Sequence, residues 1–392
     1  MGLAKVNIAT KNGRRVLSIF PTLFGAGGPG LACNRIADNL SRAGNETILF
    51  GNRIRSNSQG IATVSALPRM LNIVPYRFVN RLAARRLEHL YLSAVQPDDV
   101  CHIWPGSSVR MIEELKKKGV DVVLEMINTP LSSSRPLLDS LYEGLGVPPA
   151  HGITDAESAK EAAILQMVDR IFCPSKAVEA GLTGEKLRAK ILPTSYGADH
   201  RRGLVIDRSV RRDNDRVLIV AVGTVGVRKG AHVLLELWRK MPKNYVLRLV
   251  GKIEPTIEAL YADVLAQLNV EAIGFTTEVG QHLIEADIFT LPSFEEGDPL
   301  STHEAAQFGL PMVVSPAGGG RMQSETKCGL LIDPFVPDTL REAFLTLGQS
   351  RDLRLDLGRK TRKVAANFAW QKVASRRSML LLTAFGNRCS VA

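Results

Sequence analysis

The feature that most constrains this chain is an alternation, run through twice, of short β-rich apolar runs with helix-like stretches. "RVLSIF" (15–20) is followed by "PGLACNRIADNLSRAG" (29–44). In the latter, Leu31, Ala32, Ile36 and Leu40 fall on one helical face, and Gly44 suits the position just past a helix end. "ETILF", "DDVCHIW", "DVVLEMI", "DRIFCPS" and "AKILPTS" continue the pattern, with "SSVRMIEELKKKG" as a helix ending in lysines and glycine. After about residue 205 it starts afresh with "DRVLIVAVG", "YVLRLVG", "EAIGF", "DIFTLPS" and "PMVVSP". Alternation of this kind predicts parallel sheets with helices on both faces. A chain of 392 residues is too long for one ordinary core. Two Rossmann-like α/β domains in tandem are therefore expected, joined by the polar, Arg-rich stretch 197–217.

Composition narrows the class. The chain is 45% hydrophobic and 23% charged, and no apolar run approaches the roughly 18 residues of a membrane span. The N-terminal stretch carries charges without an apolar core, so a cytoplasmic location is expected. Five scattered cysteines (Cys33, Cys101, Cys173, Cys328, Cys389), none spaced C-x-x-C, argue for a reducing compartment and against a zinc site. The seven histidines show no paired ligand spacing, so no metal is expected. The net charge is +11, and residues 1–100 hold 13 Lys/Arg against 5 Asp/Glu. A basic surface attracts polyanions: nucleic acid, anionic lipid or phosphorylated substrates. Aromatics are only 6% and do not interleave with the basic residues, which disfavours nucleic acid.

The sharpest signal is "PSFEEGDPLSTHEAAQFGLPMVVSPAGGG" (292–320). It opens at the end of a strand. Asp298 then stands as an expected N-cap and Pro299 at the first helical position. The backbone N–H groups of Leu300, Ser301 and Thr302 would form an anion site at the helix N-terminus. Glu296 precedes this helix and Glu304 lies in its first two turns, so both can border one site.

Glu296 and Glu304, spaced E-x7-E within "E-G-x-P-x-x-x-x-E-A", resemble the motif of the retaining GT-B glycosyltransferases of family 4. "VGTVGVRKGAHVLLEL" (222–237) is similar to the family's G-R-x-x-x-x-K-G segment, and "IGFTTEVGQHLIEADIFTLPS" and "GLLIDP" follow in the family's order. The likeness covers about 170 residues of the second half well and the first half loosely. It implies a GT-B fold, with two Rossmann-like domains whose parallel sheets face each other across a crevice. An acceptor-binding domain would span 1–200 and a nucleotide-sugar-binding domain 201–370, with a helix over 371–392 crossing back to the first. By the same resemblance Glu304 would hold the nucleotide ribose, and Glu296 would stand beside the donor sugar. Lys229, helped by Arg228, would neutralise the departing diphosphate, and Gly223 and Thr224 would approach it. The donor would be a nucleoside-diphosphate-sugar, with no cofactor and no metal. The acceptor would be a glycan or lipid-linked hydroxyl, in glycan, polysaccharide or glycolipid biosynthesis.

Gly25, Gly27 and Gly30 in "FPTLFGAGGPG" also fit G-x-G-x-x-G, the dinucleotide fingerprint. A nicotinamide site wants an acidic residue at the end of the second strand, whereas this chain has Gly51, Asn52 and Arg53. Pro29 further removes a phosphate-facing N–H. Gly27, Gly28 and Gly30 instead match the glycine-rich first loop of GT-B enzymes, where backbone approaches the donor diphosphate. Two departures from the family stand out. Thr224 replaces the usual arginine, and "VLEMINTPLSSS" (123–134) offers Asn128 and Thr129 where many members carry a histidine. These leave open a GT-B-shaped binding protein without turnover. His102, at another strand end, is either a sugar contact or a structural residue. Finally, "YRFVNRLAARRLEHLYLSA" (76–94) sets a stripe of Val79, Ala83, Leu87 and Leu90 against Arg77, Arg81, Arg85 and Arg86. The arginines form either a solvated face or a peripheral membrane contact.

Overall fold

The structure, a computed structural model, describes residues 14–21, 28–53, 61–68, 76–199 and 216–386. Gly25, Gly27 and most of the Arg-rich join lie outside the described residues. Contacts divide the chain into two compact units: residues 1–125, 163–172 and 371–392 in the first, 126–162 and 173–370 in the second.

The first unit is built on parallel strands β1 (Arg15–Phe20), β2 (Glu46–Gly51), β3 (Ala62–Ser65), β4 (Val100–Ile103), β5 (Asp121–Glu125) and β6 (Arg170–Cys173). They lie in the order β3-β2-β1-β4-β5-β6. Val16 of central β1 pairs Thr47 on one side and Val100 on the other. Both central strands are apolar because both faces are covered. Helix Gly28–Arg42 buries Ala32, Cys33, Ile36, Ala37 and Leu40, and the chain leaves it through Gly44 at φ +105°. Helix Tyr76–Ala94 buries Ala83, Leu87 and Tyr91. The Ser108 hydroxyl caps helix Val109–Lys117 by accepting from the Met111 N–H.

The helix Trp370–Phe385 enters this unit through a buried ion pair. Arg377 donates two parallel hydrogen bonds to Glu125 on β5, at 2.7 and 2.9 Å, and its guanidinium lies 4.7 Å from the Phe172 ring centre. Both ionised side chains are 0% exposed.

The second unit carries β7 (Ile191–Pro193) and a six-stranded parallel sheet. That sheet comprises β8 (Val217–Val222), β9 (Tyr245–Val250), β10 (Val270–Gly274), β11 (Ile288–Leu291), β12 (Met312–Val314) and β13 (Leu330–Leu331), in the order β10-β9-β8-β11-β12-β13. From β8 the chain proceeds outward to β9, and from β11 it proceeds the other way to β12. The neighbours β8 and β11 thus flank a topological switch point, where open α/β sheets bind ligands beyond their carboxyl ends. Residues 126–162 and 173–199, which the sequence pattern groups with the first domain, pack with this unit. The reason is apolar: Tyr142 is buried in the unit's core beside Val225 and Val227, with Leu141, Leu145 and Val147 packed on it.

Candidate functional site

The loops after β8 and β11 meet at the switch point, where the Phe294 N–H donates to the Arg228 carbonyl at 2.9 Å. The first loop leaves β8 through Gly223 at φ +129°, where a Cβ would press on the Lys229 side chain at 3.1 Å. It enters helix Ala231–Trp238 through Gly230 in the left-handed region. Gly230 is required twice over, since a side chain there would also overlap the Pro292 carbonyl.

These loops carry two cations and two carboxylates. Lys229 Nζ donates to Glu296 Oε1, which also accepts from the Ser293 hydroxyl at 3.4 Å. Arg228 lies 3.2 Å from Glu296 Oε2 and 3.2 Å from Glu295 Oε2, and donates to the Glu295 carbonyl at 2.9 Å. The other oxygen of Glu295 accepts from both the backbone N–H and the hydroxyl of Thr129, at 2.9 and 2.8 Å. Thr129 in turn lies 2.7 Å from the Ser134 hydroxyl. Both glutamates are buried. Burial alone would raise the Glu296 carboxyl, but Lys229 and Arg228 outweigh it and hold it below its ordinary value. Glu296, then Glu295, raise the Arg228 guanidinium against its own burial. The result is a carboxylate kept ionised between two cations.

The sequence points to Glu296, and the structure gives its neighbour Glu295 a separate place. Glu296 faces Lys229, whereas Glu295 ties Arg228 to the 126–134 segment. Thr129 thereby joins the cation pair, and Asn128, its half-buried neighbour, is brought alongside. The backbone approach is close: any side chain at Gly297 would overlap the Ile127 carbonyl. Thr224 is exposed.

Asp298 does not cap the following helix. The N-cap position of helix Leu300–Gln307 belongs to Pro299, with no side-chain cap. The Asp298 carboxylate is drawn elsewhere: it accepts from the Tyr196 N–H (2.7 Å) and the Arg321 N–H (3.0 Å), and lies 2.9 Å from His303 Nε2. This buried hub, missed from sequence, fixes the loop between Glu296 and Glu304; a short polar residue beside Pro299 was its only signal. Of the three expected anion-binding groups, Thr302 is engaged internally. Its N–H donates to the Pro299 carbonyl at 3.1 Å and its hydroxyl to the Gly318 carbonyl at 2.6 Å. Leu300, Ser301 and Glu304 are half-buried along the helix start. "SPAGGG" (315–320) begins helix Pro316–Thr326, with Ser315 accepting from the Gly318 N–H and Pro316 at the first position.

The remaining candidates belong to the first unit. His102 is 1% exposed, with Nδ1 3.0 Å from Ser18 Oγ and Nε2 3.0 Å from Glu125 Oε2. Both ring nitrogens are thus engaged in the core, and its place is structural. Gly28 is exposed at φ +60° and Gly30 is buried within its helix, while Gly27 lies outside the described residues.

Residues 216–350 match the family Glycosyl transferases group 1. The matched stretch contains Arg228, Lys229, Glu295, Glu296 and Glu304, the cations and carboxylates of the switch point. The chain is 26% identical over 167 residues to "Sulfoquinovosyl transferase SQD2" of Arabidopsis thaliana, covering 41% of this chain and 32% of that protein. It is 30% identical over 176 residues to "MMP alpha-(1->4)-mannosyltransferase" of Mycolicibacterium hassiacum, covering 42% of each. The chain thus spans less than half the length of these two curated relatives. Among solved structures it is similar to sucrose-phosphate synthase from Thermosynechococcus elongatus. The TM-score is 0.73 at 18% identity, covering 95% of this chain and 99% of that one. The fold class is GT-B, two parallel-sheet α/β domains.

Proposed function

We propose that the chain transfers a sugar from a nucleoside-diphosphate-sugar to a hydroxyl acceptor with retention of configuration. The observation that carries this is the Arg228–Lys229 pair held against Glu296 at the switch point, inside the group 1 stretch. A GT-B neighbour, Anabaena Alr3699/HepE (TM-score 0.65, 14% identity, covering 95% of this chain and all of that one), has been solved with UDP and glucose. Negative charge builds on the departing diphosphate, and fixed cations stabilise it most where water is excluded. Lys229 and Arg228 supply that charge without a metal, assisted by the helix start at Leu300 and Ser301. Glu304 accepts from the ribose hydroxyls, and Glu296 and Asn128 orient the sugar.

In the reaction the bond from the anomeric carbon to phosphate oxygen breaks, and its electron pair stays on the diphosphate. The acceptor oxygen attacks from the face the phosphate leaves, and its proton passes to the departing phosphate oxygen. No side chain is needed as a covalent nucleophile. The acceptor is a glycan or lipid-linked hydroxyl, which places the reaction in glycan or glycolipid assembly.

A thermal-shift panel of UDP, GDP, ADP, NAD and NADP tests the donor class on the intact chain, Lys229→Ala and Glu304→Ala. A ligand at ~100 times its dissociation constant adds about 2.7 kcal/mol to the folded state. One nucleoside diphosphate should stabilise the parent and fail with both variants. Stabilisation by NAD or NADP alone would refute the reading. Slow hydrolysis of the matching sugar nucleotide then separates an enzyme from a GT-B-shaped binding protein.

A further inference from the structure

The loop that leads to Arg228 and Lys229 is bonded along its length to the turn after β9. The Gly223 N–H donates to the Val250 carbonyl at 2.9 Å, and the Val225 N–H to the Lys252 carbonyl at 2.9 Å. The Glu254 N–H donates back to the Val225 carbonyl at 3.0 Å. The last bond uses a side chain: Glu254 Oε2 accepts from the Val227 N–H at 3.1 Å, one residue before Arg228. Glu254 stands at the N-cap of helix Pro255–Leu260 but makes no capping bond with it. Its carboxylate is turned to the neighbouring loop instead, and Gly226 makes room for it. A Cβ at Gly226 would overlap that carboxylate, whose carbon and two oxygens are the atoms nearest to it. Tyr142, near the end of helix Leu131–Gly144, faces the same carboxylate. Burial, then Glu254, push its phenol up to about 12, so the hydroxyl keeps its proton as a donor. Thr129, just before the start of that helix, is bound to Glu295, which holds Arg228. One helix thus meets the cation loop at both of its ends.

We propose that Glu254, supported by Tyr142, is a positioning residue that fixes where Arg228 and Lys229 meet the departing diphosphate. The inference rests on the sugar-transfer reading. The three backbone bonds hold residues 223–225, so the sheet end is secured without Glu254. Its carboxylate secures the next step, Val227, from which the chain turns into the two cations. Val227 is fully buried, and a buried N–H that loses its acceptor must find another. The residues free to move in that search are those carrying the cations. A shift of about 1 Å in a group aimed at the reacting atoms costs up to about a hundredfold in rate.

The test is steady-state hydrolysis of UDP-glucose, GDP-glucose, ADP-glucose and GDP-mannose by the full chain, with hydrogen exchange of the 226–231 stretch measured without ligand. Glu254→Ala should lower kcat at least about tenfold and move KM less than about threefold, because charge grows on the diphosphate only in the transition state. Glu254→Gln, whose amide oxygen accepts the same N–H, should recover most of that loss. Tyr142→Phe keeps its ring in the core and should act in the same direction more weakly. Gly226→Ala should reproduce Glu254→Ala, and the two together should be no worse than either, since the added methyl takes the place of the missing carboxylate. Exchange over 226–231 should quicken in Glu254→Ala and not in Glu254→Gln. A glutamate that served stability alone would lower the urea midpoint and leave the kcat of the folded chain intact, and that result would overturn the proposal. So would a Glu254→Gln as slow as Glu254→Ala, or exchange that does not change. A parent chain that hydrolyses none of the four sugar nucleotides would overturn the sugar-transfer reading, and this inference with it.

Discussion

Replacing Arg377 by Met should be among the most destabilising single changes in the first unit. The arginine is fully buried and bonds both oxygens of an equally buried Glu125. Methionine fills much of the space but leaves the carboxylate facing only His102, 3.0 Å away. Breaking a buried pair by removing one partner costs about 3–5 kcal/mol, chiefly because the other charge is left uncompensated. Arg377→Met should therefore lower the unfolding free energy by about that much, measured by the midpoint and slope of urea denaturation. Glu125→Gln should do similar damage by stranding the guanidinium. Because each single change suffers from the same orphaned charge, the double variant should be no worse than the poorer single one.

The pH dependence carries its own sign. Burial would raise the Glu125 carboxyl, but Arg377 and His102 outweigh it and hold it below its ordinary value. A depressed folded value means the pair's stabilisation is present above the unfolded pKa, about 4.3, and is lost as pH falls through the folded value. In Arg377→Met the buried carboxyl escapes its penalty by taking up a proton. The gap between parent and variant should thus be widest near neutrality and narrow on acidification. A loss under about 1 kcal/mol, or fully additive single changes, would refute the reasoning, since a weakly coupled pair carries no such penalty.

Two further outcomes, on the proposed reading, concern the switch point. Thr129→Val and Glu295→Gln should each release Arg228 from the 126–134 segment and lower kcat about tenfold with the double variant no worse, the signature of one shared contact; multiplied effects in steady-state kinetics would show the two residues act separately. Gly297→Ala has no room beside the Ile127 carbonyl, so the loop bearing both glutamates must shift. Calorimetric affinity for the nucleoside diphosphate should fall at least tenfold, and an unchanged value would mean that loop does not position the site.

Much of this was legible because it depends on local pattern. Strand order aside, β1, β2, β4, β5, β8, β9, β11 and β12 lie where short apolar runs end in turn residues; of the stripe expected in helix Tyr76–Ala94, Ala83 and Leu87 are buried, while Tyr91 takes the place of Leu90 and Val79 is half-buried. Lys229 and Glu296 stood out because "RKG" and the E-x7-E spacing resemble the family's motifs. Other features depend on partners far along the chain. Asp298 reads as a cap until Tyr196 and Arg321, 102 and 23 positions away, compete for its carboxylate. The choice between Glu295 and Glu296 rests on where Thr129 arrives, 166 positions earlier. The three glycines of "SPAGGG" argue against a helix by propensity. The fold keeps them because a Cβ at Gly318 would overlap the Leu291 carbonyl. Helix Asp155–Met167 was obscured because its buried Ile164 and Leu165 are adjacent rather than spaced along a face.

The charge balance at the switch point suggests how the site would pass from rest to reaction. Arg228 and Lys229 are matched by Glu295 and Glu296, so the buried cluster is neutral as it stands, and a buried charge must keep a partner. On the proposed reading the incoming diphosphate brings fresh negative charge and competes for the same two cations. Arg228 is bound to Glu295 twice, through its carboxylate and its carbonyl, and Glu295 is in turn fastened to Thr129. Lys229 has one carboxylate and a flexible stem lying over Gly223. Lys229 is therefore the cation that changes partner, while Arg228 remains as the fixed charge. On that reading the exchange also releases Glu296 Oε1 to accept from sugar hydroxyls, while Oε2 keeps its pairing with Arg228. Two adjacent glutamates then divide the work because their partners differ: Glu295 holds a cation in place, and Glu296 gives one up.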